Sequence, residues 1–124
     1  MTLPHRPLTN LELTKAVNKL KIPNFRGIFM KDTLPSKIKK KESGIINLDV
    51  NQNEGTHWTA YVKNNKNVLF FDSIGNLKPA REICRYFNSE GSVKIKYNYE
   101  RYQKPNTVYC GHFCLQFLYN NQII

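Results

Sequence analysis

The sequence has few cysteines and no long apolar segment. Its three cysteines, Cys84, Cys110 and Cys114, are an odd number, and no apolar signal segment opens the chain. A secreted disulfide scaffold is therefore disfavoured, and we expect a reducing cytosol or nucleus in which the thiols stay free. No apolar run approaches the roughly 20 residues that a membrane span needs, so we expect a soluble protein with no membrane partner.

Motifs of cofactor and metal sites are also missing. The chain has no Walker loop and no dinucleotide fingerprint. It has no CxxC or HxxxH pair either, and His112 on a predicted helix faces away from Cys110. Zinc is therefore disfavoured, and we expect neither a metal nor an organic cofactor.

Acidic residues are scarce relative to basic ones. Nine Asp and Glu against 19 Lys and Arg give a net charge of +10, which indicates an anionic partner or surface: nucleic acid, an acidic protein or a membrane headgroup. The basic run at Lys37 and residues 39–41 is either a solvated loop or a docking patch. The length of 124 residues predicts one domain over residues 1–124, with residues 1–8 as a loose arm.

Periodicity and breakers predict a mixed α+β domain in the order α, β, β, β, α, β, α. Thr9 and Glu12 have capping-box spacing, so a helix begins there, and Pro23 ends it. Residues 25–35 mix aromatics with Gly and Pro and predict a packed loop or short turn. Four strands are predicted, at residues 45–50, 58–63, 67–71 and 93–97, and two further helices, at residues 79–87 and 110–120.

His57 and Asp72 are candidates for a catalytic pair. If the two middle strands form a hairpin around Asn64 and Asn65, His57 lies directly opposite Asp72 on one face. A carboxylate beside an imidazole fixes its tautomer and stabilises its cation. The alternative is that His57 is a structural histidine and Asp72 a turn residue.

Cys110 is the candidate nucleophile. It stands where a predicted helix begins, and the free N–H groups and dipole of that end favour a thiolate. Gly111 would let a substrate carbonyl approach the backbone. The alternative is that Cys110 is a small buried hydrophobe, as we expect for Cys84 and Cys114. Gln103, seven residues upstream, would donate to an oxyanion together with the Cys110 N–H, or else is a solvated loop residue.

These residues, in this order, resemble the adenovirus-protease (adenain) and SUMO-protease clan of cysteine peptidases. The resemblance rests on residues 55–58 (Gly-Thr-His-Trp), residues 70–75 (Phe-Phe-Asp-Ser-Ile-Gly), Gln103 and residues 110–114 (Cys-Gly-His-Phe-Cys). Further strings at residues 24–30 and 44–49 look like small adenain-like proteases of viruses, virophages and Polinton-type elements. The likeness covers roughly residues 9–119.

The resemblance implies a papain-like α+β fold, with a mixed, mostly antiparallel sheet packed against the helix that carries the nucleophile. It implies Cys110 as nucleophile, His57 as general base, Asp72 as the residue orienting it, and Gln103 in the oxyanion hole. Trp58 would cover a narrow glycine-binding channel, or is a core aromatic. Gly111 and Trp58 are thus the predicted substrate-binding residues.

The expected function is a cysteine endopeptidase that cleaves next to glycine and matures viral or transposon capsid or structural proteins. We expect a monomer in the host cytoplasm or nucleus, or packaged in the virion, with non-specific DNA as a further partner. One alternative is a deconjugating protease for a ubiquitin-like modifier. Another, of a different class, is a basic nucleic-acid-binding or capsid-binding module with a vestigial site.

Overall fold

The first helix begins where its capping signal predicts. The computed structural model describes residues 3–4, 6–48, 57–102 and 109–123. Helix α1 (Asn10–Leu20) follows Thr9, whose side chain accepts the N–H of Glu12 while the Glu12 carboxylate accepts the N–H of Thr9. Both bonds of a capping box are therefore present. The helix ends at Lys21, which adopts a left-handed φ of 54°.

A five-stranded mixed sheet forms the centre of the described chain. Its strands are β1 (Phe25–Met30), β2 (Lys41–Asn47), β3 (Trp58–Asn64), β4 (Asn67–Phe71) and β5 (Lys94–Tyr97). They lie in sequence order across the sheet. The two central pairings are antiparallel, whereas β1 runs parallel to β2 and β4 parallel to β5. The mixed α+β architecture predicted from the sequence is confirmed.

Helices cover both faces of the sheet. Helices α1 and α3 (Cys110–Asn120) share one core with alternate residues of β2 and β3, and α2 (Arg81–Phe87) shares a second core with the opposite face. Helix α3 has its predicted bounds and packs on β3. Cys84, predicted in the core, is only half-buried on α2, where Ile83, Tyr86 and Phe87 are the buried residues.

The sequence predictions for the first two strands are wrong. Residues 25–30 form strand β1 rather than a loop. All six residues are half-buried, so the strand lacks the alternation of buried and exposed positions that would have predicted it. A bulge after Phe25 also breaks its register with β2. Strand β2 begins at Lys41 rather than Ile45. The sequence prediction missed its first residues because they are polar, although Glu42 among them is fully buried. Residues 49–56 lie outside the described part of the chain.

Glu42 is held by donors from several elements. Its carboxylate accepts hydrogen bonds from Arg26 Nη1 and from the Lys39 N–H, each at 3.0 Å, and from the hydroxyls of Tyr61 and Tyr86. Burial and the nearby carboxylate raise the pKa of Tyr61 well above its ordinary value. The cluster ties β1, β2, β3 and α2 together beneath the sheet.

The N-terminal segment is packed rather than loose where it is described. Leu8 is buried, and its carbonyl accepts the indole N–H of Trp58 at 3.0 Å. The carbonyl of Pro4 lies 2.7 Å from Nε2 of His112, and Arg6 forms a bidentate pair with Glu12. These bonds join the segment to β3, α3 and α1, so the expectation of a loose arm is wrong for residues 3–4 and 6–8.

Candidate active site

Cys110 is the first residue of α3, and its buried side chain lies beside the start of β3. The backbone N–H of Trp58 donates to its sulfur, with N and Sγ 3.4 Å apart, and the backbone N–H of Gly111 also bonds to the sulfur. N–H groups in the first turn of a helix lack intrahelical partners and carry the positive end of the dipole. The surroundings of Cys110 therefore favour a thiolate.

His57, immediately before β3, joins Cys110 to Asp72. Its Nε2 lies 2.7 Å from Oδ1 of Asp72, and the two side chains are 21% and 2% exposed. The imidazole also hydrogen-bonds Cys110. Because Nε2 contacts the carboxylate, Nδ1 is the ring nitrogen left for the bond to Cys110. Three of the predicted residues thus form one connected group.

The hairpin brings His57 to Asp72 by a different register from the one predicted. Asn64 pairs with Asn67, so the connecting residues are Asn65 and Lys66 rather than Asn64 and Asn65, and Asn65 takes a left-handed φ of 58°. The predicted direct pairing of His57 with Asp72 is wrong by two residues. A two-residue shift keeps side chains on the same face, so they meet as diagonal neighbours.

The two titrating groups stabilise each other's charged forms. Hydrogen bonds to Asp72 and then to Cys110 raise the pKa of His57 to about 10, against the opposing effect of burial. Burial raises the pKa of the Cys110 thiol, but the hydrogen bonds from His57 and from the Trp58 N–H outweigh it, so the net shift is downward. The pair therefore favours a thiolate on Cys110 and an imidazolium on His57.

The other two thiols show the opposite shift. Burial raises the pKa of Cys84, and it raises that of the fully buried Cys114 well above the ordinary value. Of the three cysteines, all in the described part of the chain, Cys110 alone has a lowered pKa.

Trp58 and Gly111 pack against each other. The Trp58 side chain is buried, as in the core-aromatic alternative. A Cβ added to Gly111 would lie 3.3 Å from Cδ1 of Trp58 and 3.4 Å from atoms of both Leu8 and Leu13. The missing side chain of Gly111 therefore leaves room for the core; its role at the substrate stays a prediction.

Sequence reasoning missed the residues that hold Asp72. Asn98 accepts the Asp72 N–H through Oδ1 at 3.0 Å and donates through Nδ2 to the Asp72 carbonyl at 2.7 Å. The N–H of Ile74 donates to Oδ1 of Asp72 at 3.0 Å. An asparagine one residue after a strand carries no signal of such a distant partner, whereas the Asp-Ser-Ile-Gly string does predict a local turn.

Gln103 lies outside the described residues, so its place in an oxyanion hole stays a prediction. Within the described ranges, no group of three or more His, Cys, Asp or Glu side chains is placed to hold a metal ion. No helix in those ranges is long and apolar enough to cross a membrane.

Known proteins resemble the chain in sequence and in fold. No family model matches it. A protein of bovine adenovirus 2, named "Protease", is 31% identical over an alignment of 124 positions, which covers 87% of this chain and 60% of that protein. Two structures of the SUMO protease Ulp1, with the catalytic cysteine oxidised to a sulfinic or a sulfonic acid, match with TM-scores of 0.57 and 0.54.

These relatives are longer than the chain. Each Ulp1 match covers 94% of this chain and 66% of the Ulp1 chain, at 15% and 17% identity. The chain thus spans less than two thirds of the adenovirus protein and about two thirds of Ulp1. The described fold is that of the SUMO protease structures, and the resemblance to the adenovirus-protease and SUMO-protease clan is confirmed.

Proposed function

We propose that the chain is a cysteine peptidase in which Cys110 is the nucleophile. The observation that carries the proposal is the connected group of Cys110, His57 and Asp72 at the start of α3. A thiolate paired with an imidazolium, whose other nitrogen is held by a buried carboxylate, is an activated nucleophile beside a proton donor. The resemblance to the named protease supports the same activity.

In the proposed mechanism the Cys110 thiolate attacks the carbonyl carbon of a peptide bond and forms a tetrahedral oxyanion. The His57 imidazolium gives its proton to the departing amine, and a thioester remains on Cys110. Water then attacks the thioester while His57 takes its proton, which releases the acid product and restores the pair. Asp72 holds the imidazole through Nε2, so Nδ1 exchanges the protons.

The oxyanion needs donors that are in place before it forms. The backbone N–H of Cys110, at the start of α3, is one candidate, and the side-chain amide of Gln103 is the other. We propose both on the order of residues and the resemblance. Gln103→Ala should lower kcat by about 10²- to 10³-fold with little change in KM; an unchanged kcat would remove Gln103 from the mechanism.

Peptide hydrolysis by matched cysteine variants tests the activity itself. Cys110→Ala should lose more than roughly 10³-fold in rate. Cys84→Ala, which changes a half-buried thiol on another helix, should retain full activity. An active Cys110→Ala enzyme, or a protein without hydrolysis of any tested polypeptide, would leave the alternative of a basic binding module with a vestigial site.

We propose cleavage next to glycine on the strength of the resemblance. Trp58 is buried and bonded to Leu8, and its role in narrowing the substrate channel is a proposal separate from this packing. Paired peptides that differ only by Gly or Ala at the cleavage position test the preference. Equal cleavage of the two peptides would refute it.

We further propose that the substrates are capsid or other structural polypeptides of a virus or transposable element. The support is the 31% identity to an adenovirus protease, of which the chain spans 60%. Mass spectrometry of virion proteins incubated with the enzyme should show new termini beside glycine. The expectations of a monomer, of a host cytoplasmic or nuclear location and of packaging in the virion stay predictions.

A deconjugating protease is the second candidate, because the fold matches an enzyme described as a SUMO protease. It predicts release of a ubiquitin-like modifier from a fusion whose modifier ends in Gly-Gly. Cleavage of the fusion at rates well above those of capsid-derived peptides would favour this candidate, and an uncut fusion would exclude it.

We also propose weak, sequence-independent DNA binding, supported by the +10 charge and the exposed basic run. Lys37 is 74% exposed, and Lys39, Lys40 and Lys41 are also exposed. Affinity should fall steeply with salt. Lys39→Gln with Lys40→Gln should weaken it more than the charge-matched pair Lys15→Gln with Lys19→Gln on α1. Binding that is absent at low salt would refute the proposal.

A further inference from the structure

We propose that Asn98 is a positioning residue of the active site, acting through Asp72. The inference rests on the proposed peptidase function. Strand β4 ends at Phe71, so Asp72 lies beyond its last regular pairs, Phe71 with Ala60 of β3 and Phe70 with Tyr97 of β5. Its backbone there depends on bonds that the strands do not provide.

The side chain of Asn98 provides them. Oδ1 accepts the Asp72 N–H at 3.0 Å, and Nδ2 donates to the Asp72 carbonyl at 2.7 Å. One amide thus bonds both backbone groups of Asp72, and the side chain continues the parallel pairing of β4 with β5 by one residue. Nδ2 also donates to the Glu100 carbonyl at 3.0 Å, which fixes the amide itself.

The turn that follows Asp72 is fitted to the same segment. The Asp72 carbonyl also accepts the N–H of Gly75, and the N–H of Asn76 donates to the Asn98 carbonyl at 2.8 Å. Gly75 has a φ of +87°, and a Cβ there would lie 2.5 Å from the Glu100 oxygen. The Asp72 backbone is therefore clamped between a tight turn and one side chain.

The hydrogen bonds of Asn98 and Gly75 with the Asp72 backbone, here called the clamp, set the position of the carboxylate that holds His57. The Asp72 side chain has two rotatable bonds, so a shift of its backbone moves Oδ1 away from Nε2 of His57, now 2.7 Å distant. A misplacement of about 1 Å in a catalytic group can cost about 10²-fold in rate. Loss of Asn98 should therefore weaken the thiolate–imidazolium pair while leaving all reacting atoms present.

The test compares Asn98→Ala with Asn88→Ala. Asn88 also accepts one backbone N–H, from Val93, and donates to one backbone carbonyl, of Cys84, but it lies at the end of α2. Asn98→Ala should lower kcat by roughly 10- to 100-fold at unchanged KM and move the pH midpoint of Cys110 alkylation by iodoacetamide upward. Asn88→Ala should leave both unchanged.

A double-mutant cycle separates action through Asp72 from a general loss of structure. In an Asp72→Ala background, Asn98→Ala should change the alkylation rate by less than about twofold. The same loss in both backgrounds, or no loss in either, would overturn the proposal. If Asn98→Ala does not fold, Asn98→Asp replaces it, because that variant keeps the acceptor for the Asp72 N–H and loses both donated bonds. An unchanged pH midpoint of Cys110 alkylation in Asn98→Asp would equally overturn the proposal.

Alkylation needs no substrate, so it distinguishes failure of the clamp from failure of the peptidase proposal. An ordinary thiol midpoint for Cys110 in the unaltered protein would contradict the active site itself. A low midpoint that Asn98→Ala leaves in place would refute the role of Asn98 alone.

Discussion

Replacing Asp72 by asparagine should damage the enzyme far less than replacing it by alanine. Oδ1 of Asp72 accepts two hydrogen bonds, from His57 Nε2 and from the N–H of Ile74. Among the described residues, buried Oδ2 has no hydrogen-bond partner. In the Asp72→Asn variant, the Ile74 N–H would therefore keep the amide oxygen towards His57 and place the amide NH₂ where Oδ2 has no partner.

Typical hydrogen-bond energies give the size of the difference. A charge-assisted hydrogen bond contributes about 1.5–3 kcal/mol and a neutral one about 0.5–1.5 kcal/mol, so Asp72→Asn should lose about tenfold in kcat/KM. Asp72→Ala loses the bond and the orientation of the imidazole, and should lose roughly 10²- to 10⁴-fold. The buried amide NH₂ of Asp72→Asn should also lower the free energy of unfolding, by about 1–3 kcal/mol.

The pH dependence of stability and of rate gives a second measure of the effect of Asp72→Asn. The hydrogen bond to Asp72 is the largest cause of the raised pKa of His57, about 10. A raised folded-state pKa stabilises the protein below the unfolded value of about 6.5, and this contribution is lost as pH rises towards 10. In Asp72→Asn the pKa of His57 should fall, so the alkaline limb of the pH–rate profile should move to lower pH.

Peptide hydrolysis and iodoacetamide alkylation across pH measure these effects, with urea unfolding as the stability assay. Asp72→Asn and Asp72→Ala enzymes equal in rate within about threefold would refute the orientation by Ile74 and the tenfold figure derived from it. An unmoved alkaline limb in Asp72→Asn would show that another group sets the pKa of His57.

Two further predictions concern the stability of the fold, one beside the site and one in the Glu42 cluster. Gly111→Ala should lower the free energy of unfolding by about 1 kcal/mol, because the new methyl group would lie 3.3 Å from Trp58. The same change at an unconstrained helical position raises the free energy of unfolding by about 1 kcal/mol. A variant more stable than the unaltered protein would therefore contradict the close packing. Glu42→Ala should lower the free energy of unfolding by about 3 kcal/mol, because it leaves Arg26 without its buried partner. The control Glu90→Gln, in an exposed pair with Lys37, should cost under about 1 kcal/mol. Equal losses of the two variants in urea unfolding would contradict the role of Glu42.

Local signals in the sequence are sufficient for several elements. The capping box of Thr9 and Glu12 and the glycine-containing apolar run from Cys110 act within one or two turns, so they predict α1 and α3 with their bounds. The hairpin is predicted with the correct face but the wrong register, because the Asn-rich stretch at residues 64–67 offers two adjacent turn positions. Because side chains alternate between the two faces of a strand, the correct face is enough to bring His57 and Asp72 together.

Features that depend on distant partners are not predictable in this way. The burial of Glu42 requires donors from β1, β3 and α2, and a charged residue at the start of a strand gives no sign of them. The packed N-terminal segment depends on Trp58 and His112, far along the chain. Asn98 likewise meets Asp72 only because β5 lies parallel to β4.

The most direct test of the account is to label the protein with a thiol-directed peptide electrophile that ends in glycine and to locate the adduct by mass spectrometry. At neutral pH one adduct should form, on Cys110, since that thiol has a lowered pKa while burial raises those of Cys84 and Cys114. Labelling should disappear in Cys110→Ala and slow strongly in His57→Ala. An adduct on Cys84, or undiminished labelling of Cys110→Ala, would contradict the proposed active site.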